Sequence, residues 1–220
     1  MLSVALSLCL LFAAVCGQTG LSGADKQELL EVHNYFRSKV NPIATNMEMM
    51  IWNDDLAVLA QHYAEQCIFD HNPFRTNQQQ TFLYVGENLA VNNRLQKNYT
   101  REVERWHKEV SEYDFVKDSC TGVCGHYTQL VWATSNHVGC GAYRCPNPVP
   151  GFPYRNGLIL ACNYGPGGNI FGRRPYRTGL RPCSACQLPD HKHCVSNLCS
   201  STPAVKLPAA AVKQLNENKY

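Results

Sequence analysis

Four cysteines near the C-terminus have a spacing at which side chains can share a metal ion. Their pattern is C-x2-C-x7-C-x4-C, and its members are Cys183, Cys186, Cys194 and Cys199. With His191 and His193 between them, they can form a zinc knuckle. In an oxidising compartment the same cysteines form disulfides instead. The compartment therefore decides what chemistry this segment has.

The N-terminus predicts that compartment. The run Met1–Cys16 carries no charged side chain, and small residues follow at its end, so residues 1–17 are predicted to be a secretory signal peptide cleaved near Gly17. The run is too short to span a bilayer. Cleavage removes Cys9 and Cys16 from twelve cysteines, which leaves an even number for pairing. We therefore expect a secreted, extracellular protein without a membrane span, held together by disulfides rather than by zinc at these cysteines.

Other sequence signals exclude some functions. Neither a G-x-S-x-G elbow nor an H-E-x-x-H motif occurs. The net charge is only +3, and the one basic cluster comprises Arg173, Arg174, Arg177 and Arg181. Such a short, Pro/Gly-rich cluster is typical of a solvated basic surface. We expect no nucleic-acid partner.

Three predicted helices would position the reactive side chains. Apolar residues recur at helical spacing over Asp25–Val40, with Asp25 and Glu28 as a capping pair. A second helix begins at Asn53 or Asp54 and ends in a cysteine. The third, Thr100–Tyr113, places Glu109 on its apolar face. A buried carboxylate there needs a partner, which a nearby histidine would supply.

The second half of the chain predicts strands. His137–Arg144 and Leu158–Tyr164 are short, apolar and bounded by Gly or Pro, so they are expected to pair in one sheet. Between the helices, the segment 72–84 reads as a loop, with three aromatic residues that form either a contact surface or core: Phe74, Phe82 and Tyr84. The fold class is therefore α+β, a helix-sheet-helix sandwich.

Four motifs together resemble the CAP superfamily of cysteine-rich secretory, antigen 5 and pathogenesis-related proteins. They are C-x3-H at Cys67, GENL at Gly86, GHYTQLVW at Gly125 and LACNYGPGGN at Leu158. The resemblance implies an α-β-α sandwich CAP (SCP) domain over 25–172, a cysteine-rich hinge over 173–199 and a disordered tail over 200–220, without the ion-channel regulatory region. The C-x3-C of Cys120 and Cys124 is similar to the peptidase-inhibitor 16-like and glioma-pathogenesis-related-like branches.

The resemblance also implies a cleft. Its residues would be His71, Glu87, Glu109 and His126, where two imidazoles can bind zinc and two carboxylates can orient the imidazoles or hold a metal-bound water. Without the resemblance, each histidine would be read as a structural residue. The implied disulfides are Cys67 with Cys145, Cys140 with Cys162, Cys120 with Cys124, Cys183 with Cys194, and Cys186 with Cys199.

Three functions remain open. The first is a non-enzymatic extracellular binding or signalling module, whose partner would be a protein or a small hydrophobic ligand such as a lipid or sterol. The second is a metal-dependent hydrolase with Glu87 or Glu109 as base, and the third is a protease inhibitor acting through surface loops. Asn98 opens an N-x-S/T triplet, so the protein is also expected to be a glycoprotein.

Overall fold

The computed structural model describes residues 20–94, 96–153 and 155–203. The predicted signal peptide and most of the predicted tail lie outside these ranges. The α-helices of the structure are α1 (Gly23–Arg37), α2 (Asp54–Ala64), α3 (Tyr99–Lys108) and α4 (Gly125–Leu130). Within the described ranges, no helix is long and apolar enough to cross a membrane.

Eight strands form three sheets in the described part of the chain. They are β1 (Ile51–Trp52), β2 (Gly86–Asn92), β3 (Tyr113–Asp114), β4 (Ser119–Cys120), β5 (His137–Arg144), β6 (Leu158–Gly165), β7 (His193–Val195) and β8 (Leu198–Ser200). The main sheet has the order β1-β5-β6-β2. In it, β6 pairs antiparallel with both β5 and β2, and β1 pairs parallel with β5. The expected pairing of the two long strands is confirmed.

Alternation along β6 shows why helices cover both faces of this sheet. Leu158, Leu160 and Tyr164 join the large core that also contains buried residues of α1, α3 and α4. The intervening Ala161 packs with Ala60 of α2 on the opposite face. This arrangement confirms the α-β-α sandwich.

Glycines in β5 let α2 lie directly on the sheet. A Cβ on Gly139 would lie 2.3 Å from the backbone nitrogen of Ala57, and one on Gly141 would lie 2.2 Å from that of Gln61. Any larger residue would push the helix away from the sheet. This close packing fixes the end of α2, from which the chain continues to His71.

The predicted helix bounds are partly wrong. Helix α1 starts earlier because the Ser22 side chain caps it in a capping box with Asp25, rather than Asp25 with Glu28. Helix α3 ends at Lys108 and continues as a 3-10 helix over Glu109–Glu112. The tighter turn of a 3-10 helix shifts the side-chain direction. Val110, which follows Glu109 in this 3-10 helix, is consequently exposed.

The C-terminal cysteine-rich segment contacts the main domain closely. The backbone N–H of Met49 donates to the Cys199 carbonyl (2.9 Å), and that of Cys199 donates to the Met47 carbonyl (2.8 Å). Leu198 of β8 is fully buried in the large core. Besides its disulfides, the segment is thus stabilised by the core that it shares with the main domain.

Five disulfides join cysteines of the described residues. The pairs are Cys67–Cys145, Cys120–Cys124, Cys140–Cys162, Cys183–Cys194 and Cys186–Cys199, the same pairs that the resemblance implies. The first two disulfides lie close in sequence to the predicted cleft histidines. Cys67 lies four residues before His71, and Cys124 lies two residues before His126. Both histidines therefore lie next to covalently fixed backbone.

Candidate functional site

The first two residues of the predicted cleft, His71 and Glu87, form a hydrogen-bonded pair. The Nδ1 of His71 lies 2.8 Å from Oε1 of Glu87. The same oxygen accepts the backbone N–H of Asn72 at 3.0 Å. The Glu87 side chain is 0% exposed, whereas that of His71 is 55% exposed. The carboxylate is thus held inside the protein and presents the imidazole at the surface.

Glycine before this carboxylate is required by packing. A Cβ on Gly86 would lie 1.9 Å from Oε1 of Gln129. That oxygen accepts the backbone N–H of Gly168 at 2.8 Å, and the Gln129 amide nitrogen donates to Ser135. The glycine of the GENL motif therefore lets β2 approach the loop after β6.

The other two residues of the predicted cleft, His126 and Glu109, form a second pair. The Nδ1 of His126 lies 2.6 Å from Oε1 of Glu109. The other carboxylate oxygen accepts the backbone N–H groups of His126 (3.0 Å) and Tyr127 (3.1 Å) at the start of α4. The His126 ring also stacks on Trp106, with centroids 6.1 Å apart. Glu109, predicted to be buried beside a histidine, has that partner and remains partly exposed.

Both imidazoles are held in the same way. Since each carboxylate only accepts, each Nδ1 carries the proton that it donates, and a neutral ring then has a free Nε2 lone pair. No hydrogen bond to either Nε2 occurs among the residues that the structure describes. This is the arrangement in which a carboxylate orients a metal-ligating histidine.

Asn88 connects the two pairs, and sequence reasoning missed it. It follows Glu87 in β2, and its amide nitrogen donates to the His126 carbonyl (3.0 Å) and to the Tyr164 hydroxyl (3.2 Å). Tyr164 in turn lies 2.9 Å from Nε2 of His33. The sequence signal that could have identified Asn88 is its place in the GENL motif. A buried polar chain therefore positions the backbone of His126.

The four predicted residues form two pairs and not one compact cluster. Within the described part of the chain, only one group of three potential metal-ligating atoms lies within 4.8 Å of one another. It comprises Cys183, Cys186 and Cys199, whose sulfurs belong to disulfides. One observation does fit a cation in the cleft: the second carboxylate oxygen of Glu87 is buried and has no hydrogen-bond partner.

The model of the CAP family, described as the cysteine-rich secretory protein family, matches residues 30–164. This chain belongs to that family. It is 40% identical to peptidase inhibitor 15 of Xenopus laevis over 190 residues, covering 81% of this chain and 71% of that protein. It is 40% identical to peptidase inhibitor 16 of Bos taurus over 194 residues, covering 86% of this chain but only 39% of that protein. The similarity to this branch, predicted from C-x3-C, is confirmed.

Solved CAP structures share the fold. Schistosoma mansoni venom allergen-like protein 4 is 28% identical, with a TM-score of 0.59 over 76% of this chain and 100% of that one. NaASP2, solved with Zn²⁺, is 28% identical, with a TM-score of 0.62 over 84% of this CAP chain and 100% of its own.

The aromatic loop differs from what a lipid site requires. Phe74 is 61% exposed and Tyr84 is exposed, so neither belongs to the core. Phe82 is half-buried, 5.3 Å from the His137 ring. The neighbouring cavity, about 650 Å³, is lined largely by polar side chains, among them Gln66, Gln78, Gln79 and Gln80. A sterol or acyl chain needs a mainly apolar lining.

Proposed function

We propose that this protein is a secreted, non-enzymatic binding module whose cleft holds one divalent cation, best represented by zinc, through Nε2 of His71 and of His126. Glu87 and Glu109 position the imidazoles. The observation that carries the proposal is the pairing of each Nδ1 with a carboxylate, which leaves each Nε2 available. The cation would fix the cleft for an extracellular protein partner.

Zinc binding tests this directly. Isothermal titration of the purified protein with zinc chloride is expected to give one ion per chain, reversed by chelation. Because both imidazoles contribute, either His71→Ala or His126→Ala is expected to abolish stoichiometric binding. His62→Ala is the matched control, since His62 is an exposed histidine of α2. Equal binding by wild type and the His71→Ala, His126→Ala double variant would overturn the proposal.

The hydrolase alternative has weaker support. Catalytic zinc sites usually have three protein ligands and an open position. Here two imidazole nitrogens are free, the unpartnered Oε2 of Glu87 is buried, and the oxygens of Glu109 accept three hydrogen bonds. Turnover of a peptide or ester that chelation and His126→Ala both abolish would favour the hydrolase over the binding module.

Peptidase inhibition is the second candidate function, favoured by the names of the relatives at 40% identity. It would act through exposed loops such as 72–84, where Leu83 is fully exposed. Because the S1 pocket of chymotrypsin is hydrophobic, residual chymotrypsin activity would be measured with wild type, the cleft double variant and Leu83→Ser. Inhibition lost only in Leu83→Ser would support it, and absence of inhibition by wild type would exclude chymotrypsin as the target.

Secretion is supported by the five disulfides, which are typical of oxidising compartments. Expression in animal cells is expected to deliver to the medium a chain that begins after residue 17. Deletion of residues 1–17 should keep the chain inside the cell. A chain that reaches the medium without this segment would contradict the assignment.

A glycan on Asn98 is compatible with the structure. Asn98 is exposed, and its side-chain oxygen caps α3 by accepting the Arg101 backbone N–H at 2.8 Å. The side-chain amide nitrogen of Asn98, to which a glycan would be attached, does not cap the helix. Glycosidase treatment should therefore lower the mass of wild type but not that of Asn98→Asp, which keeps the cap. An unchanged wild-type mass would contradict glycosylation.

A further inference from the structure

A large cavity away from the cleft is bordered by arginines. Its volume is about 1000 Å³, and Arg173, Arg174 and Arg177 line it. On its other sides are Phe115 and Val116, which follow β3. Val116 is 81% exposed, and the Arg174 guanidinium lies 5.9 Å from the Phe115 ring centroid. Positive charge and apolar surface therefore meet in one concave site.

The backbone that carries these arginines is firmly held. The Ala133 N–H donates to the Pro175 carbonyl at 2.7 Å. The Arg177 N–H donates to the Asn46 side chain at 2.8 Å, and the Arg177 carbonyl accepts the Thr45 N–H at 2.8 Å. The guanidinium groups thus extend from a preorganised segment, which reduces the entropic cost of binding.

These guanidinium groups remain available to a ligand. No carboxylate of the described ranges forms an ion pair with Arg173, Arg174 or Arg177. Arg174 is partly engaged, since it donates to the carbonyls of Phe115 and Val116. Arg173 and Arg177 are exposed. Arginine offers a planar pair of donors that matches a carboxylate.

A second cavity, of about 730 Å³, continues this surface. It shares Arg173 and Pro175 with the first and is lined further by Ile170 and Phe171. Phe171 is fully exposed. The only carboxylate on its lining, Asp118, accepts the Tyr113 hydroxyl at 2.6 Å. The two cavities therefore adjoin, and the arginines border the first while Ile170 and Phe171 add apolar surface in the second.

We infer that this surface binds an extended segment of a partner protein, with acidic side chains on Arg173 and Arg177 and apolar side chains beside Phe171. Exposed aromatic residues next to arginine are typical of protein interfaces. The apolar surface argues against a sulfated glycan. The chain's own residues 204–220 do not fit either, because they carry three lysines and one glutamate.

Fluorescence anisotropy with a labelled octapeptide tests this inference. The peptide has a glutamate-rich half and a half rich in leucine and phenylalanine. Wild type is expected to bind this peptide. The double variant Arg173→Gln, Arg177→Gln is expected to bind it at least about tenfold more weakly. Arg181→Gln is the matched control, because this exposed arginine of the same segment lines neither cavity. The control should bind like wild type.

Matched probes separate the two halves. Replacing glutamate by glutamine, or the apolar residues by serine, should each weaken binding to wild type. Equal binding of the glutamine peptide, or of the double variant, would overturn the inference, as would no binding by wild type. Displacement of the peptide by heparin, with equal losses of binding in the double variant and in Arg181→Gln, would show a general polyanion surface and also overturn it. Thermal unfolding of each variant checks that the fold is kept.

Discussion

The proposed cleft and the C-terminal hinge each contain a histidine hydrogen-bonded to a glutamate, and the two pairs differ in exposure. In the cleft, His71 Nδ1 lies 2.8 Å from Glu87. In the hinge, His191 Nδ1 lies 2.5 Å from Oε2 of Glu48, whose other oxygen accepts the Gln187 N–H at 3.0 Å. Both carboxylates are buried. The exposed fraction of the imidazole is what differs, 55% for His71 and 12% for His191.

The difference in exposure distinguishes a histidine that a ligand can reach from one that stabilises the fold. An imidazole enclosed between hinge and domain completes a buried network and contributes to stability. An exposed imidazole contributes little to stability, and its fixed orientation serves a ligand. A histidine–glutamate pair therefore indicates a ligand site only where the histidine is accessible.

The largest expected effect is on the hinge pair. Glu48→Ala leaves the Gln187 N–H and the His191 ring without their acceptor, so it should lower the free energy of unfolding by about 3 kcal/mol. Urea unfolding of the oxidised protein measures this. Glu48→Gln, which keeps an acceptor, should lose less. If Glu48→Ala were as stable as wild type, the hinge would not depend on this pair.

His33 extends the comparison to a fully buried imidazole. Burial lowers the pKa of His33 from 6.5 to about 4, although the Leu29 carbonyl, which accepts from Nδ1, partly opposes the shift. Because the unfolded chain takes up the proton first, stability is expected to fall as the pH drops from 6.5 towards 4, by about 3 kcal/mol in total.

Equilibrium unfolding across that pH range measures the loss. His33→Gln is expected to remove most of the slope. Burial also lowers the pKa of His107 and of His137, which leaves a residual slope of the same sign. A wild-type slope unchanged by His33→Gln would exclude His33 as its source.

A moderate effect is expected from the carboxylate that positions His126. Glu109→Gln keeps acceptor capacity towards the α4 backbone but weakens the bond to the imidazole, so zinc affinity should fall about tenfold. Titration with zinc chloride measures it. Glu112→Gln, the same change at the other end of this 3-10 helix, is the control. If Glu109→Gln and Glu112→Gln bound zinc with equal affinity, Glu109 would not position His126 for the ion.

The smallest effect is expected from His71→Ala. Its half-exposed ring should contribute less than about 0.5 kcal/mol to the free energy of unfolding. The same denaturant experiment as for Glu48→Ala gives a direct contrast. A loss as large as that of Glu48→Ala would mean that the cleft pair is structural as well.

Local signals explain which parts of the fold could be predicted. The bounds of β5 are as predicted because apolar residues lie between clear chain breakers. Strand β2 was missed, since GENLAVN mixes polar and apolar residues and is buried by tertiary packing. The bond between Glu48 and His191 spans 143 residues, and no local pattern encodes it.

The site was predictable only as a set of residues. The family resemblance predicts His71, Glu87, Glu109 and His126 as a set, but not which histidine contacts which carboxylate. Pairing depends on how β2 and α4 meet, which Asn88 and Gly86 determine through long-range contacts. Exposure, which distinguishes the cleft from the hinge, is likewise a property of the folded chain.

The central claim is that accessible, Nδ1-anchored imidazoles make the cleft a cation site. Long-range proton–nitrogen correlation NMR of the histidine side chains, with and without zinc, tests it most directly. The account predicts that zinc shifts Nε2 of His71 and His126 and leaves His191 and His33 unchanged. Shifts at His191, or unchanged Nε2 signals in the cleft, would contradict it.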